Sequence, residues 1–464
     1  MENQQLKKDL KIRHITMISI GGVIGAGLFM GSGAVIHSAG PGRQSFRYAL
    51  AGLLVIFVMR MLGEMASVNP TSGSFSTYAR EAIGPWAGYT IGWLYWFFWV
   101  IVIAIEATAG AANIQYWFPE MPSWLLSLIL TVLLTLTNVY SVKSYGEFEY
   151  WFSIIKVATI VLFLLLGLSV IFGIVPGVQS PGLSNLTGNG GFMPNGFGSV
   201  LLGITVVIFS FMGTEIVAVA AGESSEPERA VRTATNSVIW RILIFYVGSI
   251  AIVATLLPWN SANILKSPFV AVLEHVGIPA AAQIMNFIVL TAVLSCLNSG
   301  LYTNSRMLYG MAKAGDAPKI FLKLNKNGVP VYAVLCGTVF AYVGVIFNYI
   351  SPDKVFLFLV NSSGGIALLV YLVIAFSHLR MRRTVEKTNP DALKVKMWLY
   401  PYLTYVTILG IVAVLVAMIF IDSLRTQVLL TLLIAVLVVG SYFLLHPKKT
   451  NVLPLDSEDS SIKS

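Results

Sequence analysis

The chain has 464 residues, of which 56% are hydrophobic and 11% are charged. Soluble domains usually carry about 25% charged residues, so this composition excludes a cytosolic globular protein. The formal net charge is +9, but the basic residues are scattered between apolar runs without an aromatic patch, which argues against nucleic acid as a partner. Cys296 and Cys336 both lie in apolar runs and predict neither a disulfide framework nor a metal site.

Apolar runs follow one another along nearly the whole chain, and a spanning helix needs about 20 mostly apolar residues. The sequence predicts twelve such helices, at residues 15–36, 47–67, 87–117, 123–142, 151–175, 198–221, 238–258, 279–311, 331–349, 354–378, 399–421 and 426–446. The predicted fold is therefore an all-α membrane domain over 15–446, with short segments at 1–14 and 447–464 outside it.

Lysine and arginine residues in the predicted loops set the orientation, because cytoplasmic loops carry an excess of positive charge. If the N-terminus is inside, most of these residues face the cytoplasm. The opposite side then receives only Arg43, Arg47, Lys266, Lys354 and Arg425. Both terminal segments are therefore predicted to be cytoplasmic, with the domain in the plasma membrane and lipids around it.

The first predicted helix is rich in glycine, with six glycines between Gly21 and Gly33. Each costs a helix interior about 1 kcal/mol relative to alanine, which predicts a break at Ile24, Gly25, Ala26 and Gly27. Broken backbone inside a membrane is tolerated where it lines a cavity or is buried in protein, and its free N–H groups suit a substrate carboxylate. The alternative is that the glycines only let helices pack closely.

The beginning of the second helix fits the pattern poorly. Arg43, Gln44 and Arg47 follow the Gly40–Gly42 turn, and like charges at helical spacing disfavour a helix slightly. We therefore expect this helix to begin nearer Tyr48, with the arginines extending to the outer interface.

Three ionisable residues lie within apolar runs, namely Glu106, Lys156 and Glu215. Such charges cost about 2.5–3.5 kcal/mol on insertion scales and are functional candidates by default. Each also has a structural interpretation: Lys156 extends to the nearby cytoplasmic interface, Glu215 accepts N–H groups at a break, and Glu106 pairs with an unseen partner. Arg60 and Glu64 are spaced i, i+4, which indicates a local ion pair.

Lys156 has no evident partner in its otherwise apolar helix. A sodium-coupled carrier holds its ion with oxygen ligands. A lysine ammonium at that position would replace the sodium ion as a fixed cation, and its proton would then be the coupling particle. Buried lysine exchanges protons readily. Lys156 is therefore a candidate proton carrier.

The sixth predicted helix contains the run Phe209–Glu215, FSFMGTE, which places Ser210, Gly213 and Thr214 at membrane depth. A glycine, hydroxyls and a carboxylate in one turn predict a second break. The first and sixth helices would be corresponding members of two five-helix repeats. Paired interruptions at corresponding positions are typical of a transporter substrate site.

The eighth predicted helix carries the polar run Ser295–Ser305, SCLNSGLYTNS. Its side chains, Ser295 and Asn298 among them, either face a cavity or bond neighbouring helices. Cys296 offers a thiol probe of such a cavity. The aromatic run 92–99, GWLYWFFW, is interpreted as a packing or interface cluster.

Enzyme signatures are not evident. The GSG at 31–33 lies in an apolar run rather than a strand-to-helix turn, no P-loop occurs, and the five histidines, assigned to helix ends or loops, form no metal pattern. The sequence predicts no enzyme activity, cofactor or metal.

Several segments carry a family resemblance. GGVIGAGLFMGSG and FSFMGTEIVAVAAGESSEPERAVRTATNSVIWRI resemble the first and sixth helices of the amino acid–polyamine–organocation superfamily. Within it, MRMLGEMA, LTNVYSVKSYGEFEYWFSIIKV and FLVNSSGGIALLVYLVIA look most like bacterial gamma-aminobutyrate permeases. The likeness covers about residues 8–446. Alanine, serine, glycine and proline permeases share most of these motifs.

The resemblance implies a twelve-helix bundle in which about 15–175 and 198–378 form an inverted repeat and 399–446 is peripheral. It implies carboxylate recognition and substrate contact at the two breaks: Gly25, Ala26, Gly27, Phe209, Ser210, Gly213 and Thr214. Lys156 matches a lysine that stands at the ion position of sodium-coupled relatives. Glu215 matches an acidic position linked to coupling and gating. Arg43, Gln44 and Arg47 depart from the family pattern.

The predicted function is import of gamma-aminobutyrate with protons by alternating access in a bacterial plasma membrane. The substrate amino group would meet sixth-helix carbonyls together with Glu106 or the hydroxyl and amide groups of Ser295 and Asn298. The alternatives are a broader carrier of small neutral amino acids, such as alanine, glycine, serine and proline, and an exchanger without net proton coupling. A channel or a receptor is the alternative from a different class.

Overall fold

The computed structural model describes residues 11–21, 24–39, 41–71, 73–187, 204–220, 226–261, 264, 267–278, 280–350 and 352–446. Within these ranges the regular elements are all helical and no strand occurs. Nine of the described helices are long and apolar enough to cross a membrane, and three shorter apolar helices accompany them. Of the predicted terminal segments, residues 1–10 of 1–14 and all of 447–464 lie outside the described residues.

In the first half of the chain, the described residues include eight α-helices. They are α1 (Ile12–Gly21), α2 (Ser32–Ala39, preceded by a π-helical turn at Gly27–Gly31), α3 (Pro41–Val68), α4 (Ser74–Ala82), α5 (Pro85–Gln115), α6 (Ser123–Tyr140), α7 (Val142–Ile171) and the short α8 (Ser184–Thr187).

The second half continues with ten helices. They are α9 (Ile204–Phe211), α10 (Ile216–Ala220), α11 (Pro227–Arg241), α12 (Ser249–Leu256, joined to α11 by a π-helix at Ile242–Gly248), α13 (Pro268–His275), α14 (Ala281–Lys313), α15 (Val331–Ile350), α16 (Pro352–Thr388), α17 (Tyr402–Phe420) and α18 (Asp422–Leu445).

Two apolar stretches are interrupted where the sequence has glycine. Helix α1 ends at Gly21, Ile24 and Gly25 are not helical, and a π-helical turn begins at Gly27. Between α9 and α10 the backbone turns through Gly213, whose φ of 99° lies in the region that only glycine adopts easily. Each interruption leaves backbone N–H groups that need a partner inside the protein.

The second helix begins earlier than the sequence predicted. Helix α3 starts at Pro41 rather than near Tyr48, because proline suits the first helical turn, where its missing N–H has no partner to lose. Arg47 does not extend to the interface. It is fully buried, and its Nη1 donates to the carbonyl of Val35 at 3.4 Å.

The fifth predicted helix also begins earlier, at Val142 rather than at residue 151. Ser141 caps it, because its Oγ accepts a hydrogen bond from the N–H of Ser144 at 3.0 Å. Lys156 therefore lies about 21 Å along α7 at 1.5 Å per residue. Its side chain is fully buried and does not extend to the interface, which corrects the structural interpretation of this residue.

Helix α5 lies at the centre of the bundle, where it packs against α4, α6, α14, α15, α16 and α18. Of its most apolar stretch, 78% of the residues are buried, against 11% for the stretch within Leu424–Leu445 of α18. The side chains of α5 therefore reach the interior beside both interruptions, whereas α18 lies at the periphery.

Candidate substrate site

The two interruptions are in direct contact. A β-carbon placed on Gly27 would lie 2.9 Å from Cα of Ser210 and 3.2 Å from Cδ1 of Phe209. A β-carbon on Gly25 would lie 2.6 Å from Oε1 of Glu106 and 2.7 Å from Cβ of Cys296. The first interruption is thus enclosed between the α9–α10 segment on one side and helices α5 and α14 on the other, and the glycines permit this close approach.

A cavity lies at this junction. It is lined by Gly27, Phe98, Trp99, Val102, Glu106, Phe209, Ser210, Met212 and Cys296. The empty space between its lining atoms is about 250 Å³. The volume in which the centre of a water-sized sphere can lie is only about 10 Å³, which is room for about one water molecule. The cavity is therefore closed, and a larger molecule needs its lining side chains to move apart.

Glu106 of α5 is bonded to the first interruption. Its Oε1 and Oε2 accept hydrogen bonds from the N–H of Ala26 at 3.2 and 3.1 Å, and only 1% of the residue is exposed. The partner that the sequence could not identify is thus the backbone of the broken helix. The N–H predicted to bind a substrate carboxylate holds a carboxylate of the protein itself.

Glu215 is bonded to the second interruption. Its Oε1 and Oε2 accept from the N–H of Gly213 at 2.9 and 3.1 Å, and its Oε1 accepts from the hydroxyl of Tyr95 at 2.9 Å. The hydroxyl of Thr214 donates to Oε2 at 3.3 Å. The residue is fully buried and is not among the described residues that line the cavity. This geometry matches the structural interpretation of Glu215, in which it satisfies the break.

Lys156 lies in a buried polar cluster with a carboxylate that the sequence analysis missed. Its Nζ donates to Oγ of Ser295 at 2.8 Å and lies 3.7 Å from Oε1 of Glu149. Oγ of Ser295 in turn donates to the same Oε1 at 2.5 Å. Lys156 is therefore paired, which corrects the expectation of a lysine with no partner in its own helix. The signal in the sequence was the i, i+7 spacing of Glu149 and Lys156, which puts both on one face of α7.

The polar run of α14 serves mainly to bond helices. Oδ1 of Asn298 accepts from Nδ2 of Asn138 in α6 at 2.6 Å, and Nδ2 of Asn304 donates to the carbonyl of Trp96 in α5 at 3.2 Å. Neither Ser295 nor Asn298 is among the described cavity-lining residues. The interhelical interpretation therefore fits these two side chains, while Cys296 between them does line the cavity.

The remaining predicted contacts divide between the cavity and its surroundings. Phe209, Ser210 and Gly27 line it. Ile24 and Ala26 are fully buried beside it, and Thr214 lines a separate, largely apolar cavity of about 230 Å³ beside α3 and α11. Of the predicted contacts, the cavity is thus lined by Gly27 at the first interruption and by Phe209 and Ser210 at the end of α9.

The aromatic run of α5 was interpreted as packing, yet it provides part of the cavity wall. Phe98, Trp99 and Val102 line the cavity together with Glu106. Trp99, Val102 and Glu106 are spaced i, i+3 and i+7, which is one face of a helix. That spacing from an ionisable residue was the signal that could have identified them. Met212 of the second interruption was also missed.

Charged contacts also join the helix ends away from the cavity. Arg80 of α4 forms an ion pair with Asp316 after α14, and Arg13 and His14 contact Glu147 of α7. Burial raises the pKa of Asp316, although Arg80 opposes the shift. Burial lowers the pKa of His14, although Glu147 opposes it.

Glu64 does not form the predicted pair with Arg60. Its Oε1 accepts from Nη1 of Arg382 at 2.7 Å, and its Oε2 accepts from the N–H of Met397 at 2.5 Å. His378 lies 3.4 Å from the same carboxylate. This histidine is buried within α16 rather than at a helix end. Among the described residues no group of His, Cys, Asp and Glu side chains has the arrangement of a metal site.

Comparison with protein families agrees with this architecture. The family model described as amino acid permease matches residues 14–452. The chain belongs to the amino acid permease family. With its series of apolar helices, this permease is a multi-pass membrane protein and an amino acid transporter rather than an enzyme.

Curated relatives are similar along almost their full length. The permease is 71% identical over 446 residues to the gamma-aminobutyric acid permease of Bacillus subtilis (strain 168), which covers 96% of this chain and 95% of the relative. It is 51% identical over 433 residues to the gamma-aminobutyric acid permease of Escherichia coli (strain K12), 93% and 92% of the two chains. It is 41% identical over 444 residues to a probable threonine/serine transporter of Bacillus subtilis (strain 168), 96% of each chain.

Proposed function

We propose that this permease imports gamma-aminobutyrate together with protons across the plasma membrane by alternating access. The observation that carries the transport proposal is the closed cavity at the contact between Gly27 and Ser210, because paired interrupted helices enclose the substrate in transporters of this architecture. The choice of substrate is supported by the two relatives named gamma-aminobutyric acid permease.

The proposed architecture is twelve spanning helices with a five-plus-five inverted repeat. Helical segments at all twelve predicted positions support it, if α1 with α2, α9 with α10, and α11 with α12 each count as one span. The interruptions then fall in the first and the sixth spans, which are corresponding members of the two repeats. The excess of Lys and Arg on one side supports placing both termini in the cytoplasm.

In the proposed complex the substrate carboxylate binds the N–H groups of Ala26 and Gly27. In the closed structure the N–H of Ala26 is bonded to Glu106. The substrate carboxylate therefore displaces Glu106 from this N–H, and Glu106 turns to the substrate ammonium. Two carboxylates on one N–H group repel each other, whereas a carboxylate beside an ammonium is favourable. Between the two ends, the methylene groups would lie against Phe98, Trp99 and Val102.

Lys156 and Glu215 have proposed roles in proton coupling and gating. A role for Lys156 as a proton carrier is supported because its charged form, fully buried, depends on the carboxylate of Glu149 at 3.7 Å. Glu215 ties the second interruption to Tyr95 of α5, so its bonds would change when the α9–α10 segment moves against α5.

The test is uptake of labelled gamma-aminobutyrate by proteoliposomes with and without an inward proton gradient. We expect accumulation that a protonophore abolishes and that alanine, glycine, serine and proline inhibit weakly. Strong inhibition by these amino acids would replace the proposed substrate with a broader class. Uptake that depends on internal amino acid but not on the gradient would indicate an exchanger, and linear uptake without saturation would indicate a channel.

A further inference from the structure

The buried cluster around Lys156 contains a continuous chain of hydrogen bonds that ends on Glu149. Nζ of Lys156 donates to Oγ of Ser295 at 2.8 Å, and this hydroxyl donates to Oε1 of Glu149 at 2.5 Å. All three residues are fully buried. The hydroxyl is therefore oriented to receive a proton on one side while it releases one on the other.

Glu149 has the capacity to take that proton. Its Oε1 also accepts from the hydroxyl of Ser153 at 3.3 Å, whereas its Oε2 is buried with no hydrogen-bond partner in the described part of the chain. In the described structure the donors to this carboxylate therefore lie at one oxygen, and the other has a lone pair that a proton can occupy without breaking a hydrogen bond.

We propose that Glu149 is the residue to which Lys156 delivers its proton during transport, with Ser295 as the relay. The proposal rests on the proton coupling proposed above and adds the acceptor. An N–H bond of Lys156 breaks as the hydroxyl oxygen of Ser295 gains that proton, and the O–H bond of Ser295 breaks as Glu149 gains its proton. The products are a neutral amine, an unchanged serine and a neutral carboxylic acid.

This transfer avoids an isolated buried charge. Before it, Lys156 and Glu149 form an ion pair, and after it both are neutral, so the net charge of the pair stays at zero. An isolated ion in a protein interior carries a large desolvation penalty. The other ionisable groups facing Lys156 are Glu106 of α5 and Cys296 of α14, which are within Coulombic range of its ammonium group.

The position of Glu149 gives the transfer a direction. It precedes Lys156 by seven residues and lies on the same face of α7, about 10 Å nearer the Val142 end at 1.5 Å per residue. In the proposed topology that end is cytoplasmic. The Glu149 carboxylate and the Lys156 ammonium are 3.7 Å apart, so the proton moves a short distance to a residue whose backbone lies nearer the cytoplasm, and it leaves to water when the inner side opens.

The test compares two kinds of transport in proteoliposomes. Accumulation driven by a proton gradient requires net proton movement, whereas counterflow of labelled against unlabelled gamma-aminobutyrate does not. Glu149→Gln keeps an acceptor for Ser295 but cannot take a proton. We expect it to lose accumulation at least about tenfold, in keeping with a lost proton-transfer group, and to retain counterflow.

Two matched variants separate relay from packing. Ser295→Ala interrupts the chain and should also reduce accumulation more than counterflow. Ser153→Ala removes a hydroxyl that bonds Glu149 without lying between the pair, and it should reduce accumulation much less than Ser295→Ala does. Equal losses in the two serine variants would contradict the relay.

A double variant covers the case in which Glu149→Gln alone does not fold. Removing one partner of a buried pair leaves an unpaired charge, while replacing both is often neutral for stability. Lys156→Met with Glu149→Gln should therefore fold and perform counterflow without accumulation. Failure of counterflow in this variant would make the pair structural and overturn the proposal.

The outcomes also separate this inference from the proposed function. Wild-type uptake that does not depend on the proton gradient would contradict the proposed proton coupling itself. Gradient-driven wild-type uptake that Glu149→Gln fully retains would leave proton coupling in place and overturn the role of Glu149.

Discussion

The two interrupted helices meet the same physical need in different ways. Each leaves a buried N–H group, and each gives that group a carboxylate as acceptor. At the second interruption the carboxylate is that of Glu215, which belongs to the same segment. It also accepts hydrogen bonds from the hydroxyls of Thr214 and Tyr95. At the first it is Glu106, which comes from α5 and lines the cavity.

The difference indicates which interruption a ligand can enter. Glu215 is surrounded by protein donors and lies apart from the cavity, so a substrate carboxylate has no access to the N–H of Gly213. Glu106 faces the cavity, so a substrate carboxylate that arrives there competes with it for the N–H of Ala26. We therefore expect changes at the first interruption to affect substrate binding and changes at the second to affect stability.

The largest expected effect is at the contact between the interruptions. In Gly27→Ala the new β-carbon would meet the backbone of Ser210 at 2.9 Å, and backbone cannot rotate away. Overpacking costs about 1–3 kcal/mol, which is about 5- to 150-fold in an equilibrium constant, so the Michaelis constant for gamma-aminobutyrate uptake should rise by up to this factor. Gly440→Ala is the matched control, since its β-carbon meets nothing within 4 Å. Unchanged uptake by Gly27→Ala would show that transport does not require the close contact between Gly27 and Ser210.

Glu106→Gln tests the first interruption directly. Glutamine still accepts from the N–H of Ala26 but offers no charge to a substrate ammonium. Hydrogen bonds to charged groups contribute about 1.5–3 kcal/mol, so substrate affinity in a direct binding assay should fall about tenfold or more. The melting temperature should change little. A fall in melting temperature without a change in affinity would reverse the assignment of the two carboxylates.

Glu215→Gln should show the opposite pattern. Its carboxylate accepts from Gly213, Thr214 and Tyr95, whereas the one oxygen of an amide keeps at most two of these bonds and carries no charge. Hydrogen bonds to charged groups contribute about 1.5–3 kcal/mol, so thermal unfolding in detergent should occur at a lower temperature while substrate affinity in the folded fraction is retained. A weakened affinity at unchanged stability would instead place Glu215 at the substrate.

The smallest effect is expected at the ion pair of Arg80 and Asp316, which lies away from both interruptions. Burial raises the pKa of Asp316, so the folded state holds this proton more tightly than the unfolded state does. That contribution to stability is complete below the usual aspartate pKa of about 4 and is lost as the pH rises through the raised value. Asp316→Asn should therefore flatten the pH dependence of unfolding above about pH 4, by less than about 1 kcal/mol. Substrate affinity should not change, and any change would link this pair to the cavity.

The sequence predicted the features that depend on residue types within one short segment. Glycines at Gly25 and Gly27, and the FSFMGTE run, identify where helices cannot continue, and charges in apolar runs identify Glu106, Lys156 and Glu215 as buried. These signals are local, because a glycine in a helix and a charge in an apolar run can be recognised from neighbouring residues without knowing the partner.

The sequence did not predict which side chains meet. The bond from Ala26 to Glu106 joins residues 80 positions apart, and nothing local distinguishes it from recognition of a substrate carboxylate. Glu149 was missed because its polar neighbours shifted the predicted beginning of α7 to residue 151, which left it in a predicted loop between two spanning helices. Arg47 was misplaced for a related reason, since its acceptor is a backbone carbonyl of the preceding helix.

The central claim is that a substrate carboxylate takes the N–H of Ala26 from Glu106. An experimental structure with gamma-aminobutyrate bound tests it most directly, through the distances from Ala26 N to the nearest oxygen of the substrate and of Glu106. We predict that the substrate oxygen lies within hydrogen-bond distance and that Glu106 has turned to the ammonium. Glu106 still bonded to Ala26, with the substrate carboxylate elsewhere, would contradict this account.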